Sequence, residues 1–211
     1  MSKIFIIGLP RTGTTSISVA LLEMGLKVAH TAFTKKAFEM ADAISDAPCF
    51  SDYVHLDALF PNAKFIYLTR DTAKWVPSMT MLLEKMAPHL EPKTGKFNPI
   101  LKRSFHHTFS LTFPLTEDEL INCYLRHEQA VFSYFKGRND FISIDISESG
   151  SLLKIKQFLG LKAQGETDFP KLNVGRNVAS WQEYKHPNKI NSNLAGPEHR
   201  KYFDYLLTEH S

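Results

Sequence analysis

The residues Ile4-Phe5-Ile6-Ile7-Gly8-Leu9-Pro10-Arg11-Thr12-Gly13-Thr14-Thr15-Ser16 carry the clearest chemistry in the chain. Gly8 and Gly13 bracket four residues, and Thr15 follows two places later, which is the spacing of a phosphate-binding loop. Glycines let the backbone curl until successive amides point inward. A helix opening at Thr14 would add unpartnered amides and partial positive charge. The expected ligand is a phosphate-like oxyanion. The candidate site is Pro10, Arg11, Thr12, Gly13, Thr14, Thr15 and Ser16. Loops that hold a nucleoside triphosphate carry lysine at the place of Thr14, reaching the β and γ phosphates. Here the nearest cation is Arg11, three residues earlier, so the loop is tuned to a different anion.

Such a loop needs a buried strand before it and a helix after it. Residues 3–8 are an apolar run ending in glycine, as in a strand buried on both faces. Residues 14–24 carry Ile17, Leu21, Leu22 and Met24 at helical spacing, and Gly25 ends the pattern. We read further strands at 26–30, 48–51, 64–69 and 141–145. Helices are expected at 35–44, 55–60 and 72–86, from 116 to about 136, and at 152–159 and 198–208. Thr116 and Glu119 form a capping box. Residues 88–114 hold four prolines and several lysines, and read as loop plus short helix. The alternation predicts an α/β fold with a central parallel sheet flanked by helices in three layers. One domain is expected over 1–211, with an insert at about 79–115 on the substrate side.

Composition narrows the partners. The chain has 211 residues, 43% of them hydrophobic and 22% charged, as in an ordinary globular protein. A formal charge of +3 is too mild to argue for nucleic acid, yet it suits one polyanionic ligand in a local basic site. Cys49 and Cys123 form neither a disulfide framework nor a zinc pattern. No stretch approaches the roughly 20 apolar residues needed to span a bilayer. A cytoplasmic location is expected, with no metal site; monomer and homodimer are both open.

The loop from Pro10 to Thr15 resembles the 5′-phosphosulfate loop of sulfotransferases, in which lysine and serine usually stand at the places of Arg11 and Thr12. It is closer to a sulfotransferase-like branch with arginine there. The segment Phe65-Ile66-Tyr67-Leu68-Thr69-Arg70-Asp71-Thr72-Ala73-Lys74-Trp75-Val76-Pro77-Ser78 resembles the family's 3′-phosphate segment. There an arginine at a strand end and a serine eight residues later hold the 3′-phosphate; Arg70 and Ser78 match. The resemblance covers most of residues 1–175. It implies a P-loop fold and 3′-phosphoadenosine 5′-phosphosulfate (PAPS) as sulfuryl donor. The product would be 3′,5′-ADP (PAP), with no metal required. Ser16 replaces the family's aromatic after the loop. The family's late Arg-Lys-Gly loop is absent; Gly175-Arg176 occupies a comparable place, making Arg176 a candidate third phosphate clamp.

Sulfuryl transfer also needs a base, expected near the carboxyl edge of the sheet. Candidates are His30, Asp52 and His55. The resemblance favours Asp52, then His55, then His30, because the family's base follows the strand before the arginine-bearing one. The expected acceptor is a hydroxyl or amine on a small molecule, carbohydrate or lipid, in a pocket that would be lined by the insert and the late loop; Met79, Met81, Phe105, Phe109 and Phe113 of the insert suit such a pocket and equally suit an ordinary core. Two other readings compete. One is a small-molecule kinase or triphosphatase with Asp145 and Thr15 on magnesium; the other is a non-catalytic nucleotide-binding module.

Overall fold

The computed structural model describes residues 2–109, 115–169 and 181–206. Five strands are β1 (Ile4–Ile6), β2 (Val28–His30), β3 (Ala43–Ser45), β4 (Lys64–Thr69) and β5 (Phe141–Asp145). They form one all-parallel sheet in the order β2-β3-β1-β4-β5. Seven α-helices flank it among the described residues: α1 (Thr14–Glu23), α2 (Lys35–Met40), α3 (Cys49–Leu59), α4 (Thr72–Leu90), α5 (Pro99–Phe109), α6 (Glu117–Tyr134) and α7 (Ser151–Leu159). The chain has the expected α/β architecture, with the loop-bearing strand at its centre. No described helix is long and apolar enough to cross a membrane.

Side-chain alternation along the strands divides the core into two layers. Ile4, Ile6, Ile66 and Leu68 point to one face, where they meet Ile17 and Leu21 of α1 and Leu152 and Ile155 of α7. Phe5, Ile7, Phe65 and Tyr67 point to the other. There they meet Phe38 of α2, Phe50 of α3, Trp75 and Met79 of α4, Phe105 of α5 and Tyr124 of α6. This second layer absorbs much of the aromatic content; Phe50 and Phe105, for example, stand edge to face at 5.6 Å. Two residues beyond β1, Gly8 is needed because a Cβ there would lie 2.7 Å from the Leu68 backbone.

The sequence pattern locates β4 and β5 well and misplaces one strand. The third strand is at Ala43–Ser45, and residues 48–51 open α3 instead. The helix expected over 35–44 stops at Met40, where Ala41 turns extended. Ala43 and Ile44 continue an apolar rhythm that fits either element, and their neighbours in the sheet decide it. Within 88–109 the chain is more helical than its prolines imply: α4 continues to Leu90, with Pro77 and Pro88 inside it, and α5 follows. The Thr116–Glu119 capping box forms as expected. At the terminus, the only element among the described residues is a short 3₁₀ helix, Lys201–Leu206.

The second β2 edge is covered. The Val28 amide donates to the Asn188 carbonyl (3.0 Å), and the Ile190 amide donates to the Val28 carbonyl (2.9 Å). Further on, the Phe33 amide donates to the Ser192 carbonyl at 2.8 Å. The chain after Trp181 thus lies along β2, where it can reach the carboxyl end of the sheet.

His106, His107 and His127 do not gather into a metal cluster among the described residues. His127 sits in the aromatic layer. Its Nε2 donates to the Phe50 carbonyl at 2.7 Å, which leaves Nδ1 to accept from the Tyr67 hydroxyl at 3.4 Å. Burial pushes its pKa down to about 4. The unfolded chain, with an ordinary value near ~6.5, therefore takes up this proton first as pH falls. The His127 contribution to stability is whole above about pH 6.5 and is lost progressively toward about pH 4, by about 3 kcal/mol. Urea unfolding of His127→Gln between about pH 4 and 7 should show a shallower acid loss than the parent protein; parallel curves would contradict this linkage.

Candidate active site

A cleft of about 1340 Å³ opens at the carboxyl edge of the sheet, lined by the whole loop from Pro10 to Ser16 together with Arg70, Ser78, His30 and Asp46. Open parallel sheets bind ligands at this edge.

The loop is held by its carbonyl oxygens. The Thr12 hydroxyl donates to the Leu9 carbonyl (2.7 Å), the Trp75 indole to that of Pro10 (2.8 Å), and the Arg70 guanidinium to that of Arg11 (2.6 Å). Arg11 and Gly13 take positive φ values of 70° and 110°, reversing the backbone twice within three residues. Such reversals turn amides toward one point. Gly13 is required on a second count, since a Cβ there would lie 2.3 Å from Ile146 Cδ1. Helix α1 starts at Thr14 with neither a side-chain cap nor an acidic residue in its first turn. Its positive end therefore faces the cleft, with the Asp46 carboxylate beside it, 3.4 Å from the Thr14 hydroxyl.

On the β4 side, Arg11 Nε donates to Ser78 Oγ at 2.8 Å, joining the loop to α4. Arg70 comes from the end of β4, and its backbone amide donates to the Tyr124 hydroxyl at 2.9 Å. Burial lowers the Arg70 pKa, nearby Arg11 lowers it further, and Asp145 opposes both. Two guanidiniums repelling each other beside an uncapped helix start make a strong demand for an anion. Arg70 and Ser78, eight residues apart, thus converge with Arg11 on the same wall.

On the β2–β3 side, His30 Nδ1 lies 2.8 Å from Ser45 Oγ, and Nε2 lies 3.6 Å from Asp46 Oδ2. Asp46 also accepts from the Ala47 amide (2.8 Å) and from the Thr14 hydroxyl (3.4 Å). The Trp181 ring lies 5.3 Å from the imidazole. Burial lowers the His30 pKa; Asp46 pulls it up, and Lys189 adds to the lowering. A neutral imidazole beside a carboxylate is an arrangement suited to accepting a proton.

The other two base candidates lie elsewhere. Asp52 is 2% exposed in α3 and accepts two hydrogen bonds from Arg103 of α5, at 2.9 and 2.7 Å. His55 is half-buried one helical turn on, and neither residue lines the cleft. Met79, Phe105 and Phe109 are buried in the core rather than arranged as a pocket wall, and Met81 is exposed. Arg176 and Phe113 lie outside the described residues.

The sequence reading missed Asp46. With the third strand displaced to 48–51, the residue after it became Asp52. The usable signal was Ser45-Asp46 followed by Pro48: turn-forming residues after an apolar run, with a proline that cannot donate within a central strand. Trp181 and Lys189 were missed because a polar segment carries no periodicity to place it.

The profile of a family described as a sulfotransferase domain matches residues 3–34 and 29–178. No curated protein matches the chain. A match over most of the chain, on this fold, defines a transferase. The chain belongs to the sulfotransferase family, whose general activity is sulfuryl transfer.

The Asp52–Arg103 pair joins α3 to α5, and Arg103 remains 29% exposed. Asp52→Ala should therefore cost about 2 kcal/mol, below the range for a fully buried pair. Urea denaturation measures this; a midpoint equal to that of the parent protein would contradict the structural role.

Proposed function

We propose that this protein transfers a sulfuryl group from PAPS to a hydroxyl or amine acceptor and releases 3′,5′-ADP. The observation that carries this reading is the convergence of Arg11, Arg70 and Ser78 with the uncapped start of α1. One phosphate would lie on the amides of Gly13, Thr14 and Thr15, and a second, on the same molecule, beside Arg70 and Ser78. A nucleotide phosphorylated at both 3′ and 5′ positions meets that demand. Arg176 is the proposed third clamp.

The donor supplies the sulfuryl group. Charge that builds on the departing phosphate is met by Arg11 and the loop amides, which are already oriented before reaction; such preorganised donors are often the largest catalytic contribution. His30 is the proposed base. It takes the acceptor's proton as the new sulfur–oxygen (or sulfur–nitrogen) bond forms and the bond to the phosphate oxygen breaks. Asp46 would stabilise the resulting imidazolium, while the Ser45 contact fixes the ring. This assignment moves the base from Asp52, which is committed to Arg103. No metal is required by this scheme.

The magnesium-dependent alternative is disfavoured by Thr14 in place of lysine. It is further weakened by Asp145, whose Oδ1 accepts from both the amide and the hydroxyl of Ser147, at 2.8 and 2.7 Å. A cytoplasmic location is part of the proposal and is supported by Cys49 and Cys123, both buried free thiols.

Thermal melting tests the donor. Stabilisation by 3′,5′-ADP without magnesium is expected, and Arg70→Ala should weaken that affinity by about tenfold or more. Stabilisation only by Mg-ATP would favour the kinase reading, and an unchanged affinity in Arg70→Ala would remove the clamp. The base has a separate test in the pH dependence of kcat/KM. A lowered His30 pKa keeps the imidazole neutral further into acid, so the acid limb should fall below about pH 6.5. An acid limb at higher pH, or full turnover by His30→Gln, would contradict the assignment.

A further inference from the structure

The acceptor side of the cleft follows from strand order. The loop follows β1 at the centre, and Arg70 and Ser78 stand on its β4 flank. With the donor spanning those two positions, an in-line acceptor must approach from the opposite flank, over β3 and β2. That flank is not formed by the middle helices, whose Phe105 and Phe109 are buried in the core. It is completed by the chain after Trp181, with Gln182, Ile190, Asn191 and Ser192 facing the cleft beside Thr31. The segment is fixed there by the β2 contacts and by a 2.7 Å contact between the Thr31 and Ser192 hydroxyls. It also lies beyond residue 178, where the family match ends.

We infer that residues 181–192 are the acceptor-selecting wall, and that the acceptor is a neutral polyhydroxylated molecule of the sugar or polyol class. This inference rests on the sulfotransferase reading.

The groups on this wall exclude the other classes one by one. Trp181, the aromatic residue on this flank, already packs against His30 and carries the Lys189 ammonium 4.4 Å from its ring centre, so it offers little to a flat phenol. Lys189 donates to the Trp181 and Tyr184 carbonyls, both at 2.5 Å, and is committed to holding the segment rather than an anionic acceptor. Asp46 is engaged with Ala47, Thr14 and His30, so a cationic amine would have to share this carboxylate with the imidazole. Among the described residues of this wall, a lipid chain would find Ile190 and the edge of Trp181, set among the amides and hydroxyls of Gln182, Asn191, Ser192 and Thr31. Thr31 and Ser192 share one hydrogen bond and Asn191 Oδ1 accepts from the Asn193 amide, which leaves the Gln182 amide, the Asn191 amide nitrogen and the remaining hydroxyl lone pairs to meet an acceptor without charge, as hydroxyl-rich acceptors require.

The test uses the full chain with radiolabelled PAPS and a panel of neutral mono- and disaccharides, polyols, a phenol, hexylamine and dodecanol. Label should pass to sugars or polyols. Gln182→Leu and Asn191→Leu, both at exposed positions, should raise the acceptor KM about tenfold each while leaving 3′,5′-ADP affinity unchanged. Preferred transfer to the phenol, the amine or the long-chain alcohol would overturn the acceptor class. Transfer to none of the panel with 3′,5′-ADP still bound would do the same, and so would an unchanged acceptor KM in both variants. Loss of 3′,5′-ADP binding in the parent protein would instead overturn the donor reading.

Discussion

The cleft depends on how the loop's carbonyl oxygens are disposed of. A peptide chain can aim several amides at one point only if the carbonyls between them find partners elsewhere. Here the partners are Thr12, Trp75 and Arg70, which take the carbonyls of Leu9, Pro10 and Arg11. Two of these three come from the end of β4 and the start of α4. The same unit therefore shapes the loop and supplies the second cationic position. Arg70 thus both holds the loop and lines the cleft, and Ser78 links Arg11 to the same helix.

That dual use explains the sheet's arrangement. Adjacent placement of β1 and β4 brings Arg70 within reach of Arg11, and Gly8 permits the close approach of their backbones. On the other flank, β3 and β2 deliver Asp46 and His30 to the same edge, and the terminal segment closes the wall. The protein thus surrounds its cleft with cations on one side and a weakly basic imidazole on the other. A formal charge of +3 hides this polarity, since the placement of a few groups matters more than their sum.

Much of this was legible in the residues. The loop, the β4 strand with Arg70 at its end, the eight-residue step to Ser78 and the capping box all have local causes, so local patterns reveal them. The base side was less legible. Ala43-Ile44-Ser45 is too short to announce itself as a strand, and the helical reading of 35–44 absorbed it. That displacement put Asp52, rather than Asp46, at the expected strand end. The bond between Asp52 and Arg103 spans 51 residues and has no local signature. The terminal wall was read as loop because its order comes from β2 rather than from its own periodicity.

The central claim is that one doubly phosphorylated nucleotide bridges the loop and the β4 flank. The most direct measurement is a crystal structure with 3′,5′-ADP bound. The account predicts the 5′-phosphate on the amides of Gly13, Thr14 and Thr15, with the 3′-phosphate held by Arg70 and Ser78 and the His30 side left open. A nucleotide lying across His30 and Asp46, or one whose 3′-phosphate makes no contact with Arg70, would contradict it.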